Sequence, residues 1–194
     1  MNDSLLCRVN VSLQLIEKCL QGDQRAYSEL YRVCYPFMIS VTARYIRQRE
    51  QAVELVNTAF ISMVNGLHQY NSAYPFGAWL RRIVINTILN EYRKNNRLKS
   101  KVTFIDQEEL SRINVGDQAD LSEFDTDRIT LVTKCIQLLP PMTGQVFNLF
   151  MIDGYSHKEI SSMLHISEGT SAWHVNEGKQ RIKALIEKQN SDNK

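Results

Sequence analysis

The sequence lacks the features that would assign it to several special classes of protein. No stretch approaches the ~18 consecutive apolar residues that a membrane-spanning helix needs, so we expect no direct membrane insertion. The first residues lack the basic start, apolar run and cleavage site of a signal peptide, which favours a cytoplasmic location. With 8 Gly and 4 Pro in 194 residues, collagen-like and low-complexity chains are excluded, and a hydrophobic fraction of 43% indicates a globular protein.

Catalytic and metal-binding patterns are absent as well. The cysteines stand at positions 7, 19, 34 and 135 and the 4 histidines are equally scattered, whereas zinc sites use paired ligands at short spacing. The sequence has no GxxxxGK[ST] phosphate loop, no HExxH and no GxSxG motif. We therefore predict free buried cysteines, no metal, no cofactor, no catalytic residue and no small-molecule substrate.

The net charge of +2 conceals two opposed segments. Residues 76–101 carry seven Lys or Arg against one acid, a net charge of +6. Residues 102–130 carry eight acids against two Arg, a net charge of −6. A concentrated basic segment is typical of contact with nucleic acid, which the small total charge alone would not indicate.

Helical periodicity predicts a compact helical domain over residues 1–98. The pattern gives helices over 23–34, from Pro36 to about Arg47, over 52–64 up to Gly66, and from about Phe76 to Arg97 after a turn at 71–75. Residues 99–128 lack helical periodicity and hold most of the acids, so we predict an acidic flexible linker there.

Residues 129–194 predict a second helical domain that contains a helix-turn-helix. Ser156 and Glu159 have the spacing of a capping box, His165-Ile166 forms a tight turn, and Ser167 caps a helix that runs to about Lys188. An ordinary helical hairpin is the alternative. The predicted fold class is therefore all-α, with two small helical domains joined by a linker.

Two predicted helix faces carry candidate DNA-binding residues. An acid-free arc on the helix over 76–97 would bind unpaired DNA by phosphate contacts, base hydrogen bonds and stacking; its members are Trp79, Arg82, Asn86, Asn90, Arg93 and Arg97. The alternative is a solvated face with Trp79 partly in the core. On the last helix, the candidates for the major groove and its phosphates are Ser167, Thr170, Ser171, Trp173, His174, Glu177, Lys179 and Arg181.

The outer face of the helix over 51–67 carries little charge for a solvated surface. It presents Glu54, Asn57, Thr58 and Ile61. Such a face is typical of a surface that docks on a partner protein, and a simply polar face is the alternative.

Four segments stand out in order along the chain: GDQRAYSELYRVCYPF, AVELVNTAFISMV, FGAWLRRIVINTILNEYRKNNR and LLPPMTGQVFNLFMIDGYSHKEISSMLHISEGT. They resemble the bacterial RNA polymerase sigma factors of the extracytoplasmic-function (ECF) group over about residues 14–98 and 129–188. The resemblance implies core RNA polymerase and promoter DNA as partners, and it implies an anti-sigma factor, as many relatives have one.

The resemblance also implies roles for the candidate residues. Glu54 and Asn57 match contacts to the polymerase clamp, and the arc that includes Arg82 matches positions near the melted minus-ten strand. The helix over 168–186 matches the reader of the minus-thirty-five element, where His174 stands at a position that is often Arg. Departures are Thr58 for the usual Glu, and Ala172 and Glu177 for common Lys and Arg.

We therefore predict a non-enzymatic ECF-type sigma factor that directs promoter-specific transcription initiation. A conventional helix-turn-helix regulator that acts without polymerase is the first alternative. A protein-interaction module without DNA affinity, and last a helical enzyme, complete the alternatives.

Overall fold

The computed structural model describes residues 9–99 and 134–192, with side chains described over 9–94 and 134–187. Within these ranges the chain is helical and contains no strand, which confirms the predicted all-α class. The helices are α1 (Leu13–Leu20), α2 (Gln24–Ala43), α3 (Arg49–Gly66), α4 (Phe76–Lys99), α5 (134–137), α6 (Pro141–Phe147), α7 (His157–Leu164) and α8 (Glu168–Asp192). Apart from Lys99, the predicted linker lies outside the described residues, and the domain boundaries stay predictions.

The four helices α1–α4 form an N-terminal bundle with α2 at its centre, packed against the other three. Asp23 begins α2 as predicted, because its Oδ1 accepts hydrogen bonds from the backbone N–H groups of Arg25 at 2.8 Å and Ala26 at 3.3 Å. These bonds satisfy helix-end donors that have no partner within the helix.

The predicted helix boundary at Pro36 is wrong. The structure has one helix, Gln24–Ala43, with Pro36 inside it, where the sequence predicts two helices. A proline removes one backbone donor and costs about 3 kcal/mol in a helix interior. Residues on both sides of it, Cys34 and Phe37 among them, are buried in the same core. Their packing holds the chain in one helix despite the local preference.

The apolar faces of α3 and α4 pack as the periodicity predicts. In α3 the buried residues are Ala52, Leu55, Val56, Ala59 and Met63. In α4, Leu80, Val84 and Ile88 are buried as expected, while Ile83 and Thr87 are only half-buried. Ile85 and Leu89 are also buried, because α4 packs against both α2 and α3. The remaining face of α4 points outward and carries the candidate DNA-binding residues.

The helices α5–α8 form a C-terminal bundle in which α6 and α7 both pack against α8. A π-helical turn over Asn148–Ile152 continues α6, and Gly154 ends it with φ +77°. The predicted capping box begins α7, with Ser156 and Glu159 each bonded to the other's backbone N–H. The turn residue His165 lies in the left-handed region at φ 55° and ψ 45°, so the helix-turn-helix geometry is formed without glycine.

Gly178 lets α8 approach α6 closely. A Cβ at this position would lie 2.6 Å from Cδ2 of the Phe147 ring, well inside van der Waals contact. The glycine therefore lowers helix propensity by about 1 kcal/mol and in return allows the ring to pack on the backbone of α8. This contact fixes how α8 sits on its own bundle.

The described cysteines are free and buried, as predicted. Burial, together with the nearby Cys19, raises the pKa of Cys34 to about 12. Cys7 lies outside the described residues. None of the described helices is long and apolar enough to cross a membrane.

Candidate nucleic-acid interface

The outward face of α4 presents three polar side chains without an acid among them. Arg82, Asn86 and Asn90 are all exposed and follow one another at intervals of four residues, so they share one side of the helix. Arg97 belongs to the same helix, but its side chain lies outside the described residues. A cation with two amides on one face offers phosphate contacts and hydrogen bonds to bases.

Trp79 lies at the start of this face, half-buried in an aromatic cluster. Its ring centroid is 5.2 Å from that of Tyr70 and 5.4 Å from that of Phe76. The expected alternative, a tryptophan partly tucked into the core, is what the structure has. Its partial exposure still leaves area on which a base could stack.

An aromatic residue beside this cluster was not among the candidates predicted from the sequence. Tyr74 is 67% exposed in the turn before α4, and its carbonyl accepts a 2.8 Å hydrogen bond from the Tyr70 hydroxyl. The signal was a tyrosine in a polar loop directly before Pro75. An exposed ring at that place adds a second stacking platform to the α4 face.

Two residues of the α4 face contact the C-terminal bundle. Arg93 donates from Nη1 to Asn90 Oδ1 at 2.8 Å and from Nη2 to the carbonyl of Met163, in α7, at 2.7 Å. Arg82 lies against Tyr155: burial raises the pKa of Tyr155, and the Arg82 guanidinium opposes that rise. The side of α4 that the sequence assigns to DNA is therefore partly covered by α7 and the residues before it.

In the predicted DNA face of the helix-turn-helix, five of the eight candidates are exposed: the cap residue Ser167 and four residues of α8. Thr170, Trp173, Lys179 and Arg181 point to solvent, with Trp173 59% exposed. Trp173 therefore projects from its bundle, although its edge contacts the His174 ring. Ser167 is exposed and caps α8, since its Oγ accepts from the backbone N–H of Thr170 at 2.9 Å.

Two candidates on α8 are held inside the C-terminal bundle. Ser171 is fully buried, with its hydroxyl 2.9 Å from His157 Nδ1, so its assignment to the DNA face is corrected. His174 is half-buried, with Nδ1 3.0 Å from the Thr143 hydroxyl. Desolvation lowers the pKa of His174, which favours the neutral form of the ring. Both side chains support the position of α8 rather than projecting freely.

The remaining two candidates on α8, Glu177 and Arg181, form an ion pair with each other. Arg181 Nε lies 2.6 Å from Glu177 Oε1, one helical turn away. Arg181 can contact a DNA phosphate only if its guanidinium binds the phosphate and Glu177 together, or gives up its contact with Glu177. The charge that α8 offers to DNA is therefore smaller than its count of cations.

The outer face of α3 lies open along its length. Glu54, Asn57, Thr58 and Ile61 are all exposed, and Ile61 is 60% exposed. Asn57 Oδ1 accepts a 2.8 Å hydrogen bond from the Tyr31 hydroxyl of α2, which fixes the amide. One acid, ordered polar groups and an exposed aliphatic side chain together form a surface suited to a protein partner.

Among the described residues, no group of three or more His, Cys, Asp or Glu could hold a metal ion.

Family models match both bundles. Residues 30–98 match the model for Sigma-70 region 2, and residues 129–182 match the model for Sigma-70, region 4. Together the two models cover well over half of the chain. The two regions occur in the order that the sequence resemblance indicates.

Individual relatives agree with the family models. The chain is 27% identical to the RNA polymerase sigma-H factor of Pseudomonas aeruginosa over 166 residues, which are 81% of this chain and 84% of that protein. It is 27% identical to the ECF RNA polymerase sigma-E factor of Escherichia coli over 164 residues, 80% and 84% of the two chains. A solved structure of the sigma factor RpoE with the anti-sigma factor NepR from Bartonella quintana has the same fold, with a TM-score of 0.52 at 16% identity over 83% of this chain and 96% of that one.

These matches do not favour a conventional helix-turn-helix regulator, because the N-terminal bundle is itself a sigma region 2. The helix-turn-helix expected from the sequence falls within the region 4 match. The chain belongs to the sigma-70 family as an ECF-type sigma factor, a protein that directs transcription.

Proposed function

We propose that the chain binds core RNA polymerase through α3, captures an unpaired promoter strand on α4, and reads a second promoter element in the major groove with α8. This assignment of three roles rests on the different chemistry of the outward faces of α3, α4 and α8. The α3 face is nearly uncharged with an exposed Ile61, whereas the α4 face is cationic and amide-rich beside aromatic rings.

The mechanism is selective binding without a chemical step. Unpaired bases stack on aromatic rings at about 1–3 kcal/mol each, and a paired duplex cannot offer those faces. Trp79 lies one turn before Arg82 on α4, and Tyr74 is exposed in the turn before the helix, so the face binds the opened strand better than the closed duplex. The α8 helix then sets position on duplex DNA through Thr170 and Trp173.

An anti-sigma factor is proposed as a further partner, since the matched RpoE is described in complex with one. The place of action is the cytoplasm, where core polymerase and promoter DNA are found. The proposed function includes no reaction catalysed by the chain itself.

Run-off transcription with purified core polymerase tests the proposal. Candidate promoters are transcribed with and without the chain, and we expect discrete transcripts only when the chain is present. A variant with Ile61→Asp, which puts a charge on the α3 face without touching α4 or α8, should lose co-purification with polymerase. A matched change on another exposed site, Leu13→Asp in α1, should keep it. Absence of stimulation on every promoter together with no polymerase binding would overturn the proposed function.

A further inference from the structure

A tyrosine of α2 holds the side-chain amide of one residue on the outer face of α3. The Tyr31 hydroxyl donates to Asn57 Oδ1 at 2.8 Å. The Tyr31 ring is itself held on two sides, with its centroid 4.9 Å from that of Phe60 at an interplanar angle of 87° and 5.5 Å from that of Tyr35. Tyr31 is half-buried, whereas Asn57 is exposed. The hydrogen bond therefore comes from a packed ring and is in place before any partner protein arrives.

This bond decides which end of the Asn57 amide a partner meets. A side-chain amide has one oxygen that accepts hydrogen bonds and one nitrogen that donates two. The Asn57 oxygen is turned toward Tyr31, which directs the nitrogen away from α2. Because the residue is exposed, its N–H groups are offered to a partner. Asn57 therefore acts as a donor, and its best complement is a carbonyl or carboxylate oxygen.

Two hydroxyl groups of the same face have the opposite polarity. Thr58 Oγ1 donates to the carbonyl of Glu54 at 3.0 Å, and Ser62 Oγ donates to the carbonyl of Thr58 at 2.9 Å. Thr58 and Ser62 are both exposed. A hydroxyl group has one hydrogen, and when the helix backbone binds it only the oxygen lone pairs remain. Unless these bonds break, both side chains can only accept hydrogen bonds from a partner.

The acceptors of this face lie in one row. Glu54, Thr58 and Ser62 follow one another at intervals of four residues, and an ionised carboxylate such as that of Glu54 only accepts. The Asn57 donor and the exposed Ile61 side chain lie beside that row. The complementary surface therefore has donor groups along one line, such as Arg, Lys or amide N–H, with one acceptor and an apolar patch next to them.

We propose that the α3 face carries a fixed hydrogen-bond pattern which selects its contact surface on core polymerase, with Tyr31 committing Asn57 to donate. In the same pattern the helix backbone commits Thr58 and Ser62 to accept. Tyr31 is thus a positioning residue that acts through Asn57, and Ser62 is a further contact residue. A surface of the wrong polarity would leave polar groups without partners on both sides. The inference rests on the proposed docking through α3 and adds the chemistry of the polymerase surface.

Asn57→Asp tests the donor. Aspartate has the same size and can still accept from Tyr31, but it offers no N–H to the polymerase. An acceptor on the polymerase would then face an oxygen, so the Kd should rise about tenfold or more. Fluorescence anisotropy of the labelled full chain, titrated with core polymerase, measures the Kd. Gln14→Glu, the same change from amide to acid at an exposed site in α1, should leave it unchanged.

Ser62→Ala tests an acceptor. Loss of one hydrogen bond to the polymerase should raise the Kd about two- to tenfold. Ser162→Ala is the matched control, because Ser162 is an exposed serine in α7 whose hydroxyl donates to the carbonyl of Lys158 at 3.1 Å in the same way. Circular dichroism checks that both variants keep their helices.

Tyr31→Phe tests positioning, since it keeps the ring and removes only the hydroxyl. The Asn57 amide can then turn either end outward, and the Kd should rise about two- to threefold, the cost of losing one preferred orientation out of two. In the Asn57→Asp background the same change should have no further effect, because no donor remains to be oriented. A merely structural role of Tyr31 would give the same loss in both backgrounds and would overturn the positioning role.

The outcomes separate this inference from the proposed function. If Asn57→Asp and Ser62→Ala bind core polymerase as tightly as their controls while Ile61→Asp loses binding, the hydrogen-bond pattern is overturned and docking through α3 stands. If the unmodified chain does not bind core polymerase, the proposed function is overturned and the pattern with it. Weaker binding of both variants, with unchanged controls, supports the pattern.

Discussion

The two helices proposed to contact DNA, α4 and α8, carry their charge in different ways. On α4, Arg82 stands among exposed amides with no acid on the same face. On α8, Arg181 is paired with Glu177, and His174 is neutral and held by Thr143. The α4 face offers a cation without an ion pair on its own helix, together with aromatic rings, and such contacts tolerate many base sequences; the α8 face offers few polar groups, in fixed positions. The difference fits capture of a strand by α4 and selection of a sequence by α8.

The fixed position of α8 depends most strongly on Gly178. Gly178→Ala places a Cβ 2.6 Å from the Phe147 ring, and the overpacking should lower the free energy of unfolding by about 1–3 kcal/mol, less up to ~1 kcal/mol gained in helix propensity. Chemical denaturation measures the change. Gly169→Ala is the matched control, because the nearest atom to its Cβ is the Ser167 hydroxyl at 3.7 Å. If both alanine variants are stabilised, the close contact between Gly178 and the Phe147 ring does not determine the position of α8.

The role of the exposed cation on α4 is tested by Arg82→Ala. Loss of a cation at the proposed strand-binding face should reduce open-complex formation about tenfold, while binding to core polymerase stays the same. Permanganate reactivity of unpaired thymines measures opening. Arg25→Ala removes the same charge from an exposed site at the start of α2 and should have no effect. Opening that is equal in the two variants would remove Arg82 from the strand-binding face.

The paired charge on α8 is tested by Glu177→Gln. Release of Arg181 from its carboxylate should tighten duplex promoter binding a few-fold and steepen the salt dependence by about one unit, the value for one added phosphate contact. Arg181→Gln should change both in the opposite direction. Glu168→Gln removes an acid from the same helix without releasing an arginine, so its salt slope should not change. Equal slopes for the Glu177 and Glu168 variants would show that Arg181 does not reach the DNA backbone.

The smallest effect concerns His174. Desolvation lowers its pKa in the folded chain below the usual 6.5, so the unfolded chain takes up the proton first as the pH falls. Stability should therefore decrease as the pH falls below about 6.5, and the decrease should be smaller in His174→Gln. Thermal unfolding at pH 7.5 and 5.5 measures it. An identical pH dependence in both chains would contradict the assignment of a neutral, bonded ring.

Local patterns predicted much of this molecule. Periodicity located the buried faces of α3 and α4, and capping residues located the starts of α2, α7 and α8. These features depend on neighbours within a turn or two, so they are visible in the sequence. Pro36 shows the limit, because its helix is held together by burial against three other helices.

Contacts between distant residues were not predictable in the same way. Ser171 and His174 have the spacing of an exposed face, yet His157 and Thr143 hold them, 14 and 31 residues away. Asp153 is 109 residues from Arg44, and nothing in the local sequence marks it as a partner of α2. The predicted outward faces are therefore largely exposed, as expected, and the exceptions are single residues whose partners come from another helix, while the DNA contacts themselves stay predictions.

The capping of α2 by the C-terminal bundle has a consequence for synthesis of the chain. The carbonyl of Arg44 accepts its hydrogen bond from Asn148, which lies 104 residues later in the chain. Ribosomes add about 5–20 residues per second, so the nascent N-terminal bundle exists for roughly 5–20 s before its cap emerges. The end of α2 therefore gains this cap only when translation is nearly complete.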